Sequence, residues 1–273
     1  MKVLELDYFR KIKAITKIEV QKQMSFRVNI FFHRLSNIVE IIIPIIIWTV
    51  IFQNHEMVSG YTLEEMMTYI IVGWLILFLI ANYGLEDNVS RDIQEGTLSN
   101  FLVKPIDYIK YVIIFSFGRN IIAFGMGALT VCVLAFIMLD KIIIINSFAK
   151  LLVIASMIIG GFFVNLFVAI LIGMIAFWTT AMSGSKYSIW ILVSFLSGRF
   201  FPLDMLPVVY FKIILFFPFA YVYFIPLQLY LGKISLSQSW FYLGVEIFWL
   251  ILLYGIIRLL YKKGLRKFEG IGI

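Results

Sequence analysis

Residues 66–85 read MMTYIIVGWLILFLIANYGL, a stretch of twenty positions without a charged side chain. A helix needs about 20 predominantly apolar residues to cross the hydrocarbon of a bilayer, so this stretch reads as a membrane span. Composition agrees. The chain is 62% hydrophobic and only 14% charged, where a soluble domain carries about a quarter charged residues. The fold class expected is all-α: a polytopic membrane protein whose 273 residues form one helical domain.

Working outward, an earlier span is expected at about 36–53 (SNIVEIIIPIIIWTVIFQ). Its Pro44 is tolerable where neighbouring helices satisfy the freed carbonyl. Further spans are expected at about 120–139, at about 148–178, from near Tyr187, and at about 241–261, six in all. The run 148–178 exceeds one perpendicular crossing and is expected to tilt or project. Between the last two spans, 197–240 holds Pro202, Pro207, Pro218 and Pro226 yet stays apolar. Such a tract suits short broken helices that dip in and return, buried in protein or facing water. A complete seventh span is the alternative, and interior prolines weigh against it.

The segment 1–34 carries eight Lys or Arg residues and lacks the continuous apolar core of a signal peptide. Within it Phe9, Ile12, Ile15 and Ile18 recur every third residue with basic residues between. That pattern predicts an amphipathic helix lying among lipid headgroups. With the N-terminus inside, eighteen Lys and Arg residues fall on the cytoplasmic side and five outside. Positive charge is retained on the cytoplasmic side, so both termini, and the connection 86–110, are expected in the cytoplasm.

Residue types that build chemistry are scarce. One cysteine, Cys132, lies in an apolar run, and His33 and His55 are far apart, so neither a disulfide framework nor a His-based metal centre is expected. The Gly-x-Ser-x-Gly elbow is absent, and SGSKYS at 183–188 lacks the glycine spacing of a phosphate loop. Glu40, Glu86, Asp87, Asp140 and Asp204 sit near span boundaries, Glu40 the deepest of them, where hydration makes charge cheap. A membrane body without an energy source leaves passive flow, or energy delivered by a partner.

The cytoplasmic stretch 93–106, IQEGTLSNFLVKPI, is where a partner would act. Read as a helix, it sets Ile93, Thr97 and either Phe101 or Asn100 along one side, with Leu98 and Leu102 beside them. Pro105 closes the segment. The residues leave two readings open: an amphipathic helix that docks in a partner's groove, or one that packs on lipid headgroups.

The order of spans, the basic N-terminal helix, DIQEGTLSNFLVKPI after the second span, and SGRFFPLDMLP with FPFAYVYFIPLQLYLGK before the last resemble the permeases of ABC-2-type exporters. The resemblance runs over nearly the whole chain. It implies a permease of the bacterial cell (inner) membrane, without a catalytic site or cofactor of its own, that exports a hydrophobic or amphipathic compound. ATP would be bound by a partner. Two ABC ATPase subunits and a second permease, identical or paralogous, are the implied partners, with membrane lipid and without nucleic acid. Carried over by position, Glu95, Gly96, Thr97, Leu98, Phe101, Leu102 and Pro105 would form the ATPase-coupling segment. Ser197, Gly198, Phe200, Pro202, Leu203, Leu206 and Pro207 would form the turn into outer re-entrant helices. A non-ABC passive channel or a membrane scaffold is the alternative. Ala123 and Gly127, four apart, suit close helix contact, within one subunit or at a dimer seam.

Overall fold

A computed structural model of the protein describes residues 27–82, 84–103, 107–137, 140, 142–179 and 183–268. The expected N-terminal interfacial helix falls mostly on 1–26, outside the described residues, as does Pro105. The described chain is mostly helical, and no strand occurs among the described residues.

Helix α1 spans Arg27–Ile51 and runs through Pro44 without a break. A tight 3-10 turn follows at Phe52–Asn54. Helix α2 spans Leu63–Ile80 and starts at a reciprocal cap: Glu65 N–H donates to Thr62 Oγ1 (3.2 Å) and Thr62 N–H donates to Glu65 Oε2 (3.0 Å). Most of α2 is buried, as an all-round apolar helix requires. It ends at Ile80, five residues short of the expected limit, and α3 resumes over Leu85–Gln94.

The break between them is held by amides. Asn82 Nδ2 donates to the Ile80 carbonyl (3.1 Å) and to the Phe162 carbonyl (3.4 Å), and Asn165 Nδ2 also donates to Ile80 O (3.0 Å). Asn82 Oδ1 accepts from Ser116 Oγ and from Asn120 Nδ2 (2.9 Å). A helix end orphans its last carbonyls. Away from water those groups need protein donors, and Asn82 and Asn165 supply them to Ile80.

The remaining helices are α4 (Ser99–Leu102), α5 (Tyr108–Ile137), α6 (Phe148–Met174), α7 (Ser183–Ser197), α8 (Val208–Ile214), α9 (Phe219–Val222), α10 (Phe224–Tyr230) and α11 (Leu236–Leu265). Helix α5 starts twelve residues before the expected span. Among the described residues, Leu63–Gln94, Phe148–Phe177 and Leu236–Leu265 are long and apolar enough to cross a membrane. Ile38–Asn54, Tyr108–Gly118 and Lys186–Ser197 are shorter apolar stretches.

Helix α6 is the hub, touching α2, α3, α9, α10 and α11. Two close approaches depend on its glycines. A Cβ at Gly173 would lie 2.6 Å from Val89 Cβ of α3, and one at Gly161 would lie 3.3 Å from the Val222 backbone of α9. Gly127 of α5 likewise abuts the Phe78 ring of α2, so this glycine is used inside the subunit.

The proline-rich tract contains no long helix. Pro207 and Pro218 stand at the N-caps of α8 and α9, and Pro226 lies in α10, which is seven residues long. Proline fits a helix start, where its missing N–H is no loss, and here it divides an apolar tract into short pieces. Residues 220–229 are nonetheless buried throughout.

Candidate coupling segment and membrane cavity

The stretch 93–103 is not one helix. Helix α3 stops at Gln94, and Gly96 takes φ +75°, in the left-handed region that side-chain-bearing residues avoid. The chain then turns into α4. This corrects the single-helix reading, in which Ile93, Thr97 and either Phe101 or Asn100 share one side. The Gly96 turn interrupts the helical register.

The turn closes on Asp92. Its carboxylate accepts from Thr97 Oγ1 (2.9 Å) and from Tyr108 Oη (2.8 Å), and its carbonyl accepts the Leu98 N–H (2.8 Å). Ser99 Oγ donates to Gly96 O (2.7 Å). Phe101 packs against Tyr108 and Tyr111, with ring centroids 5.3 and 4.5 Å apart. Ile93 and Leu98 face inward, and Leu98 is wholly buried. Glu95 is exposed at the end of α3, and Leu102 and Val103 are 49% and 84% exposed. The sequence-predicted residues therefore split into an inner pair and an outer tip.

The foot of α11 is tied to the same region. Tyr108 stacks on Tyr261 at 6.0 Å, and Arg258 Nη1 donates to Asp107 Oδ2 at 2.5 Å. Partial burial pushes the Asp107 carboxyl up. Hydrogen bonds from Arg258 and from the Lys110 and Ile109 amides outweigh it, and the net value lies below the ordinary one. The native carboxyl thus holds its proton less tightly than the unfolded one. Its stabilising contribution is complete above about pH 3.9 and is lost as pH falls through the lower native value. Asp107→Asn should lack that acid-sensitive component. Melting temperature of the solubilised protein, followed from about pH 5 down to about pH 3, checks this. Parallel losses in wild type and variant would remove the Asp107–Arg258 pair from the account.

On the opposite side of the bundle, Gly198 turns the chain at φ +83°, and its carbonyl accepts from buried Tyr69 Oη (2.6 Å). Ser197, Pro202 and Leu203 are buried, Leu206 is half-buried, and Phe200 and Pro207 are exposed. Nearby, Tyr61 Oη donates to both Asp204 oxygens at 2.8 Å, and Gln228 donates to Tyr61 Oη. Lys233 Nζ joins Glu65 at 3.1 Å and the Gly60 carbonyl at 2.8 Å. Burial pushes the Asp204 carboxyl above the usual carboxylate range although Tyr61 donates to it. This cluster fastens the loop after α1 to the proline-rich segment.

A cavity of about 510 Å3 lies among α2, α3, α6, α7 and α9. Its walls are apolar, with Leu77, Val164, Val168 and Val222, and its polar atoms include those of Asn82 and Asn165. At one rim Trp190 Nε1 donates to Glu86 Oε1 (3.0 Å) and Lys186 Nζ to Asp87 Oδ1 (2.7 Å). At the other, Arg199 pairs with Glu40 at 3.0 Å and lies 4.9 Å over the Trp74 ring. A groove of about 930 Å3 between α1 and α7 shares Tyr187, Trp190, Ser194 and Arg199 with this cavity.

The sequence matches the family model of the ABC-2 family transporter proteins over residues 38–272. The chain belongs to that family. It is thus a membrane permease of an ABC transporter, a transmembrane component and not a catalytic domain. No curated protein matches it. Three features of this permease were missed in the sequence reading. Asp92, which closes the turn, looked like one charge among several. Asn82 was hidden inside an apolar run. Glu246, not Glu40, is the acid deepest in a span, and its signal was a lone carboxylate in YLGVEIFWLILLYG.

Proposed function

We propose that this permease exports a hydrophobic or amphipathic compound across the bacterial cell membrane, driven by a separate ATPase that docks on the turn 95–103. The observation that carries the reading is the Leu102–Val103 tip. It is an exposed apolar edge on a turn fixed from within by Asp92. A rigid mount of this kind passes a push onward instead of absorbing it. The push would reach α3, α5 through Tyr108, and α11 through Tyr261. The mostly apolar cavity with its few polar groups suits an amphipathic passenger.

In the full assembly two ATPases and a second permease, identical or paralogous, would join this chain. It would cross the membrane six times, keep both termini cytoplasmic, and use α8 to α10 as re-entrant helices on the outer side. ATP would be held by the partner alone. Affinity purification of the full chain from its native host is expected to bring down an ABC ATPase whose hydrolysis rate rises in vesicles containing the permease. Recovery without any ATPase, together with nucleotide-independent solute flux in vesicles, would convert the reading to a passive channel.

A further inference from the structure

Glu246 is a buried acid that neither the coupling turn nor the cavity uses. It lies about 17 Å along α11 from the Ser235 cap, at 1.5 Å per residue. From Leu236 to Ile257 it is the sole charged residue. The residue is 1% exposed, and neither carboxylate oxygen has a hydrogen-bond partner among the described residues. Most of α11 faces outward, so the acid is turned into the molecule although outward positions abound. Gly160 of α6 receives it: a Cβ there would stand 2.7 Å from the Glu246 carboxyl carbon and Oε1. The glycine is what makes room for a carboxyl group in the α6–α11 seam.

The charged and titratable groups on the helices packed around it are few. Helix α6 carries only Lys150, in its first turn, and α9 carries Tyr221, which donates to Leu215 O at 2.6 Å. Tyr223 precedes α10, and Tyr230 ends it. On α11 itself Tyr242 lies one turn before, Tyr254 eight residues on and Arg258 twelve on, paired with Asp107, with Tyr261, Lys262 and Lys263 at the helix end. None of them donates to Glu246. An isolated ionised carboxylate in such surroundings is among the most expensive groups to bury, whereas its neutral acid is far cheaper. Ionisable residues inside membrane helices commonly mark proton or ion sites.

We propose that Glu246 is a proton-binding site within the α6–α11 seam, occupied while the seam is closed and vacated when α6 draws away and water reaches the carboxyl. Helix α6 also packs on α3, the helix that leads into the turn 95–103, so proton release accompanies any movement of α3 that shifts α6. The proposal does not depend on the identity of the exported compound.

Infrared spectroscopy of the full-length permease in lipid vesicles tests it. At pH 7 a protonated-carboxyl C=O band is expected, because an ordinary Glu, with a value of about 4.3, would be fully ionised there. The band should be lost in Glu246→Gln and retained, shifted, in Glu246→Asp. Dicyclohexylcarbodiimide provides the assignment in wild-type protein, without a variant. The acid proton passes to one reagent nitrogen while the carboxylate oxygen bonds the central carbon. The acyl group then migrates to nitrogen, leaving an adduct with the mass of the whole reagent and no leaving group. That adduct is expected on the Glu246 peptide. No C=O band at pH 7, a band unchanged in Glu246→Gln, or a band with no adduct at Glu246 overturns the proposal.

Discussion

Val103→Asp should separate the permease from its ATPase while leaving it folded. Val103 is 84% exposed, and its neighbour Leu102 is 49% exposed. The pair forms an apolar tip whose removal from water needs a partner. A substitution at so open a position changes stability by about 0.5 kcal/mol or less. In a docked interface the same change buries a charge against an apolar surface, a hot-spot loss of about 2 kcal/mol or more, which is roughly 30-fold in dissociation constant. Titration of the purified ATPase onto permease vesicles reads the affinity, and a melting curve of the same sample reads the fold. Wild-type affinity in Val103→Asp would move the docking surface away from this tip. A lowered melting temperature would mean that the tip packs within the chain.

How much of this was legible in the sequence depends on the length scale of the signal. Long apolar runs gave α2, α6 and α11 to within about five residues, because about 20 apolar positions in a row admit few alternatives, whereas α1 begins at Arg27, nine residues before its expected start. The four prolines of 197–240 argued for short pieces over one long helix, but that Pro207 and Pro218 stand at helix starts came from the structure. The break at Asn82 was not legible. An Asn within a span looks like any tolerated polar residue until its partners on other helices are placed. In the stretch 93–103 helical character was legible but the inward and outward faces were not. Helical periodicity was extended through Gly96, whose left-handed backbone resets the register. That reset turns Leu98 inward and leaves Leu102 outside, a division that spacing alone does not show. For the same reason Glu246 reads as one charge in a span, while its notch at Gly160 lies 86 residues away in the chain.

Leu98→Ala is the complementary experiment, and its effect should fall on stability. Leu98 is completely buried, in the same cluster as Ile93, Tyr108 and Ile109, and its N–H is anchored on the Asp92 carbonyl at 2.8 Å. Truncating a buried Leu removes its transfer energy and leaves a cavity, together about 2–5 kcal/mol. In the orientation proposed above this turn lies in the cytoplasm, where the alternative environment for the side chain is water and not lipid, so the full hydrophobic term applies. The melting temperature of Leu98→Ala should drop clearly. Leu98→Met, which conserves volume, should cost less than about 1.5 kcal/mol. ATPase affinity per folded permease should stay near wild type in both, since the side chain lies behind the docking tip. An unchanged melting temperature with lost ATPase binding would sink this division of labour, because Leu98 would then have to swing out and meet the partner itself.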